Sequence, residues 1–191
     1  MERNIAQIAL FAAMIAALGL VPQITLGFGV PITAQTLGVM LAGAVLGARR
    51  GAAAAGLFLL LVALGLPLLA GGRGGLGVFV SPTAGFALGF PVAAFATGLF
   101  VEHVRLRSAG LAAGLGAVFG GILVLYVLGA AGLAVVSGKG LAEAFGLVAV
   151  FIPGDLLKAA ITGMLVQALA RVRPQTLAWH RADADGAQTR L

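Results

Sequence analysis

Long apolar runs, separated by short polar or glycine-rich links, cover most of the 191 residues of the chain. Most of these runs have the roughly 17–25 residues that a helix needs to cross the hydrocarbon core of a bilayer. The pattern predicts an all-α membrane protein, built as a compact bundle of six transmembrane helices. We place these helices at about 5–21, 31–48, 52–66, 82–101, 109–136 and 144–170.

Two of the links predict local structure. Pro31 suits the first position of the second helix, where its missing N–H costs nothing. The segment Arg49-Arg50-Gly51 predicts a tight basic turn between the second and third helices. We therefore expect the second helix to begin at Pro31 and to end just before Arg49.

The composition agrees with a membrane protein, because 61% of the residues are hydrophobic and only 9% are charged. A soluble domain carries roughly a quarter charged residues, so lipid must contact much of this exterior. The chain has no cysteine, which excludes disulfides, a thiolate nucleophile and a sulfur-ligated metal. The net charge of +6 does not indicate nucleic acid, since the basic residues form short clusters between apolar runs and suit anionic lipid headgroups.

The distribution of basic residues predicts the orientation of the chain. Only Arg73 and Lys139 fall on the outer side if the N-terminus is inside, and Lys158 lies within a helix. The inner side then holds Arg3, Arg49, Arg50, Arg105, Arg107, Arg171, Arg173, Arg181 and Arg190. Because cytoplasmic loops carry the excess of basic residues, we predict a protein of the cytoplasmic (inner) membrane with both termini cytoplasmic. Residues 1–173 form the transmembrane domain, and residues 174–191 form a polar cytoplasmic tail.

The strongest candidate site is the pair Asp155 and Lys158 inside the last apolar run. A charged residue within a membrane costs roughly 2.5–3.5 kcal/mol on insertion scales, so two of them need a reason. On a helix they share one face, which Thr162 continues. The preceding Pro153-Gly154 indicates a break before a helix that begins near Asp155. A ligand site is our preferred interpretation, and the alternative is a helix cap with a structural ion pair.

Two further segments on the outer side offer polar groups. Gln35 gains nothing by facing lipid and needs a partner or a ligand, whereas Thr33 beside it would serve equally well as a helix cap. The glycine-rich link at about 70–81 has the features of a binding loop, because glycine permits close approach to a ligand. Its cation Arg73 suits a carboxylate, and Thr83 follows the link. The alternative is that the link is a flexible, solvated connector and that Arg73 contacts no ligand.

Small residues recur four apart in two helices, a spacing that lets helices approach closely in lipid. In the fifth helix the pairs are Gly110/Gly114 and Gly116/Gly120, which we expect to serve packing within the bundle. In the first helix Ala9, Ala13 and Ala17 form a stripe that would either pack within the bundle or dock a partner subunit.

Several activities lack the residues that they need. The chain has no GxxxxGK[ST] loop for ATP, and its two histidines, His103 and His180, both lie beside cytoplasmic basic clusters. No serine has the GxSxG context of a nucleophile. We therefore predict no catalytic residues, no metal site and no cofactor. An intramembrane enzyme acting on lipid, or a simple channel, remains as an alternative function.

Three segments resemble the substrate-binding subunits, or S components, of energy-coupling-factor vitamin transporters, specifically the biotin-binding BioY type. They are PITAQTLGVMLAGAVLGARRG (31–51), GLPLLAGGRGG followed by SPTAGFALGF (65–90), and IPGDLLK (152–158). The resemblance implies six helices and a vitamin bound near the outer face, with Asp155 and Lys158 contacting it. Ser81 and Phe86 depart from the glycine and tyrosine expected there.

The same resemblance implies that biotin uptake is energised by a partner transmembrane coupling subunit and two cytoplasmic ATPases. Asp155 can accept hydrogen bonds from the ureido group of biotin, and Lys158 can donate to ligand oxygen. Another small vitamin or a metal ion is the alternative cargo. The predicted ligand-binding residues are Asp155, Lys158, Gln35, Arg73, Thr33, Thr83 and Thr162.

Overall fold

The computed structural model describes residues 2–25, 27, 30–104, 106–177 and 179, without the side chains of residues 24, 25 and 31. Arg105, Arg181 and Arg190, which the charge pattern places on the inner side, lie outside the described residues, as does most of the predicted tail.

The described chain forms six helices, which confirms the all-α bundle. Helices α4, α5 and α6 are each long and apolar enough to cross a membrane, and α2 is a shorter apolar helix. The bounds are Glu2–Leu18 (α1), Gln35–Leu46 (α2), Ala48–Ala63 (α3), Ala84–His103 (α4), Ala109–Ser137 (α5) and Leu141–Val172 (α6). Short 3-10 helices cover Leu76–Val80 and Pro174–Thr176.

The link between α1 and α2 contains a small antiparallel pairing of β1 (Ile24–Thr25) with β2 (Pro31–Ile32). The prediction that Pro31 opens the second helix was therefore wrong, because α2 begins at Gln35. Proline suits a short edge strand, where no ladder hydrogen bond needs its missing N–H.

The turn between α2 and α3 also differs from the prediction. Gly47 alone separates the two helices with φ 79° and ψ −179°, and Arg49 lies in the first turn of α3. Glycine adopts a positive φ without steric cost, so one residue suffices to break the helix. The backbone N–H of Ala48 donates to Glu102 at 2.9 Å, and the carbonyl of Ala44 accepts from the indole of Trp179 at 2.9 Å. Distant side chains thus satisfy backbone groups at the break.

The last helix is continuous but changes its winding next to Pro153. A 3-10 turn at Ala149–Phe151 separates the segment Leu141–Val148 from Ile152–Val172. The ring of a proline clashes with the carbonyl four residues earlier, which here belongs to Ala149. The predicted break at Pro153-Gly154 is therefore only a change of winding at Ala149–Phe151, and the following α-helical segment begins at Ile152 rather than near Asp155.

Glycines bring α5 close to its neighbours, as its spacing predicts. A Cβ on Gly110 would lie 2.7 Å from the carbonyl oxygen of Gly163 in α6. A Cβ on Gly116 would lie 3.1 Å from the carbonyl oxygen of Thr97 in α4, and Gly120 also faces Thr97. Larger side chains at these positions would force the helices apart, so the glycines serve packing within the bundle.

Candidate functional site

A cavity of about 60 Å³ lies between α2, α4, α5 and α6, beneath the link that joins α3 to α4. We call this end of the bundle the cavity end, and the opposite end, which carries Arg49, Arg50 and Arg171, the basic end. Apolar and aromatic side chains form most of the wall, and a few polar groups converge on it. The lining residues are Val30, Ile32, Thr33, Gln35, Thr36, Leu69, Arg73, Thr83, Phe86, Ala87, Phe90, Leu125, Phe151, Asp155 and Lys158.

Asp155 is the buried acidic group of this cavity, with 4% of its surface exposed. Its Oδ1 accepts from Lys158 Nζ at 2.7 Å and from the Thr36 hydroxyl at 3.1 Å. Its Oδ2 accepts from the Tyr126 hydroxyl at 2.7 Å. Phe151, not Asp155, is the N-cap of the final helical segment. The helix-cap interpretation was therefore wrong, while the predicted ion pair is present.

Lys158 uses all three of its ammonium hydrogens within the protein. Its Nζ donates to the Thr33 carbonyl at 2.6 Å, to Thr36 Oγ1 at 2.9 Å and to Asp155 at 2.7 Å. Two charges taken out of water are stable only when such additional hydrogen bonds accompany their attraction. The helices therefore hold a preorganised polar cluster of Asp155, Lys158, Thr36 and Tyr126.

Arg73 stands on the other side of the cavity in a different setting. Its Nε donates to the Ala70 carbonyl at 3.2 Å and its Nη1 to the Thr83 hydroxyl at 3.1 Å. Thr83 Oγ1 also shares a hydrogen bond with Ser81 at 2.8 Å. Burial lowers the pKa of Arg73 below its usual value, although a guanidinium stays protonated. The part of the chain that the structure describes places no carboxylate within ion-pair distance of Arg73.

Glycines shape the link that presents Arg73. Gly71, Gly72 and Gly75 have φ of 78°, 70° and 82°, a region that other residues rarely adopt. These turns allow Leu69 to pair with Arg73 as an isolated antiparallel bridge. The link is therefore folded over the cavity rather than extended, which directs Arg73 toward the lining.

Gln35 and Thr33 line the cavity but also hold the scaffold together. Gln35 Nε2 donates to the carbonyls of Ile15 and Leu68, and its Oε1 accepts from the Ala70 amide at 3.0 Å. This side chain joins α1, α2 and the glycine-rich link. The Thr33 hydroxyl accepts from the Gln35 amide at 3.2 Å at the start of α2.

Thr162 is the predicted ligand-binding residue that the structure does not bring to the cavity. Its side chain is fully buried, and its hydroxyl donates to the Lys158 carbonyl at 2.9 Å. It lies one turn beyond Lys158, where the cavity has already ended. The prediction that Thr162 shares a helical face with Asp155 and Lys158 was correct. The cavity, however, does not extend along that face as far as Thr162.

The sequence interpretation missed Tyr126 and much of the aromatic wall. The ring of Phe86 packs edge-on against Tyr126 and Phe151, with centroid distances of 6.3 and 6.2 Å. Phe86 contacts the bare backbone at Gly129, where a Cβ would overlap the ring. Tyr126 is the only tyrosine of the chain and lies inside an apolar run, which is a signal that could have revealed it.

The alanine stripe of α1 lies on the exterior. Ala9, Ala13 and Ala17 are exposed, whereas Ala12 and Ile15 pack into the core. This side of α1 is therefore left uncovered by the part of the chain that the structure describes.

The fold and the cavity define the class of protein: a polytopic membrane protein with a small, mostly apolar pocket and a few convergent polar groups, as is usual for small-molecule sites. The model of the BioY family matches residues 2–175, and the chain belongs to this family. It is 56% identical over 186 residues to the biotin transporter BioY of Rhodobacter capsulatus, covering 93% of this chain and 98% of that protein.

Two further comparisons agree with this assignment. The biotin transporter BioY of Rhizobium etli is 54% identical over 173 residues, covering 87% of this chain and 92% of that protein. A crystal structure of the S-component for biotin from an ECF-type ABC transporter superposes with a TM-score of 0.82 at 32% identity, covering 88% of this chain and 91% of that one. The matches confirm the predicted family and its class, a transport protein rather than an enzyme.

Proposed function

We propose that the protein captures biotin from the outer side of the membrane and mediates its uptake as the S component of an energy-coupling-factor transporter. The observation that carries this proposal is the polar cluster of Asp155 and Lys158 inside an apolar cavity, facing a half-buried Arg73 that has no carboxylate partner among the described residues. Biotin combines a neutral ureido group, an apolar bicycle and a carboxylate, which match these three environments.

The polar cluster suits the ureido group. Asp155 Oδ2 accepts one hydrogen bond from Tyr126, and a carboxylate oxygen can accept a second from a ureido N–H. The ureido oxygen can take a hydrogen from Lys158 if the contact with the Thr33 carbonyl is given up. The bicycle then packs against Phe86, Phe90 and Phe151.

Arg73 suits the carboxylate of the valerate chain. Two of its five N–H groups are used by Ala70 and Thr83, and the remaining donors of the planar fork match a carboxylate in geometry. Arg73 is half-buried, and removing a charge from water is costly when it has no partner. The ligand carboxylate would supply the charge that the described residues do not provide.

Binding requires the cavity to expand. Its volume of about 60 Å³ is well below the roughly 300–1,000 Å³ of ligand pockets. The glycine-rich link and the β1–β2 segment border the cavity, and both connect helices rather than forming part of one. Movement of this border, rather than of the helices, would admit the ligand.

The proposal includes partners and an orientation. The exposed stripe of Ala9, Ala13 and Ala17 would dock a transmembrane coupling subunit, because small side chains let helices approach closely in lipid. Two cytoplasmic ATPases would energise uptake. Both termini would be cytoplasmic in the inner membrane, with residues 174–191 as a tail after the binding domain.

Binding of radiolabelled biotin to the purified protein tests this function. We expect wild type and Glu143→Gln to bind equally, because Glu143 pairs with Lys139 on the exposed surface. Asp155→Asn should weaken binding about ten-fold or more, since a neutral amide loses charge-assisted hydrogen bonds of about 1.5–3 kcal/mol.

A panel of other small vitamins and divalent cations should show no comparable binding. Normal biotin binding by a folded Asp155→Asn variant would contradict the assigned site. Preferential binding of another member of the panel would contradict the assigned ligand.

A further inference from the structure

An open groove of about 610 Å³ runs along the exterior between α5 and α6, outside the biotin site. Its lining includes Gly110, Gly114 and Gly163, whose missing side chains let the two helices approach. Leu111 and Met164 flank it with 56% and 63% of their surfaces exposed. In a membrane this exposed apolar surface faces lipid.

The polar groups of the groove lie at one end. Gln167 Oε1 accepts from the Ser108 hydroxyl and from the Gly110 amide, both at 2.8 Å. These two bonds orient the carboxamide, and no hydrogen-bond partner of its Nε2 occurs among the described residues. Arg171 follows one helical turn later and is exposed. None of the described residues that line the groove is acidic, so this end offers donors and positive charge.

We propose that this groove binds an anionic phospholipid, with an acyl chain along the glycine floor and the phosphate at Gln167 and Arg171. Eleven residues separate Leu156 from Gln167, which is ~16 Å of helix at ~1.5 Å per residue. One leaflet of the hydrocarbon core is ~15 Å thick, half of ~30 Å. The apolar part of the groove therefore has the length of an acyl chain, and its donors lie at headgroup level.

A second helix would fit the same surface less well. Close helix packing needs small residues that are free to receive a neighbour. Gly110 and Gly163 already contact each other across the α5–α6 seam. The charge of Arg171 at the groove end also complements a phosphate rather than an apolar helix.

Native mass spectrometry of the full-length protein in detergent tests the proposal, with phosphatidylglycerol and phosphatidylethanolamine of identical acyl chains as probes. Wild type should retain phosphatidylglycerol at least five-fold better. Arg171→Gln should reduce this preference about five-fold, because one basic residue near an anionic lipid surface changes the binding affinity by about that factor. Arg49→Gln, which removes a basic-end charge outside the groove, should leave the preference unchanged.

Two further variants test the groove itself. Ala160→Leu, at an exposed lining position, and Gly114→Leu should both reduce retention of either lipid by filling the groove. Gly114→Ala should have little effect, since its Cβ would meet atoms only at 3.6 Å and beyond.

Equal retention of the two lipids by wild type would overturn the proposal. So would lipid retention unchanged by Ala160→Leu, or a dimer that Ala160→Leu dissociates while lipid remains bound.

Discussion

The two sides of the cavity hold their cations in opposite ways. Lys158 lies on a regular helix and has a carboxylate and two further acceptors within 2.9 Å. Arg73 lies on a glycine-rich link and, among the described residues, donates to one carbonyl and one hydroxyl. Both residues are half-buried and carry a positive charge. Only Lys158 has its counter-charge within the described part of the protein.

This difference separates two contributions to the site. The helical side is complete without a ligand, because its donors and acceptors satisfy one another. The loop side retains unused donors and a charge that no described residue compensates. A negatively charged group of the ligand should therefore bind more favourably to Arg73 than to Lys158. Stability should therefore depend on Lys158, and recognition of the ligand carboxylate on Arg73.

The largest effect is expected for Lys158→Met, which removes the counter-charge of Asp155. Breaking a buried ion pair by deleting one partner costs about 3–5 kcal/mol, because the remaining charge stays buried. We expect a large fall in thermal stability in detergent together with loss of biotin binding. Lys139→Met is the matched control, since its exposed pair with Glu143 should contribute less than ~1 kcal/mol. Equal stability of both variants would contradict a structural role of the cluster.

A smaller and different effect is expected for Arg73→Gln. Biotin affinity should fall about ten- to a hundred-fold, because hydrogen bonds to charged groups contribute about 1.5–3 kcal/mol. Thermal stability without ligand should stay near wild type, since the charge removed is half-buried and has no counter-charge among the described residues. Isothermal titration calorimetry with biotin and with biotinamide measures the effect. If Arg73→Gln weakens both ligands equally, Arg73 does not recognise the carboxylate.

Tyr126→Phe should have an intermediate effect on the helical side. The substitution keeps the ring that packs against Phe86 and removes only the hydroxyl that donates to Asp155. We expect a loss of about 1.5–3 kcal/mol in stability and a several-fold loss in biotin affinity. Phe86→Tyr provides a contrast, because it adds a hydroxyl without touching this bond. A wild-type melting temperature for Tyr126→Phe would show that Asp155 does not need its third donor.

The smallest effect is expected from the backbone of the glycine-rich link. Gly72→Ala places a Cβ in open space but at φ 70°, which costs about 1–2 kcal/mol. Gly77→Ala also meets open space and has no positive φ, so it serves as the control. We expect Gly72→Ala to weaken biotin binding a few-fold by shifting Arg73. Identical affinities of the two variants would show that the loop adjusts without cost.

Much of the architecture could be predicted because membrane helices obey local rules. Apolar length, flanking breakers and the cost of intramembrane charge all act within one segment, and they located six helices and singled out Asp155 with Lys158. Local rules were weaker at the links. Arg49 and Gly51 have the composition of a turn, yet they continue α3 because Gly47 alone makes the break.

The site required the tertiary structure wherever distant segments supply the partner. Gln35 was a candidate ligand contact, and the structure gives its amide three protein partners from α1 and the glycine-rich link. The one sequence signal for Tyr126 was that it is the only tyrosine of the chain. Nothing near it in sequence indicates that its hydroxyl donates to Asp155, 29 residues away. A helical face shows which residues align, but not how far along it a cavity extends, which is why Thr162 was included.

By itself, the sequence determined that lipid surrounds much of this protein, where its helices lie and which helical face carries charge. Each of these follows from the chemistry of contiguous residues. The tertiary structure decided which cation is neutralised and which keeps unused donors. That outcome depends on contacts between α2, α5, α6 and the glycine-rich link, and such contacts exist only once the helices pack.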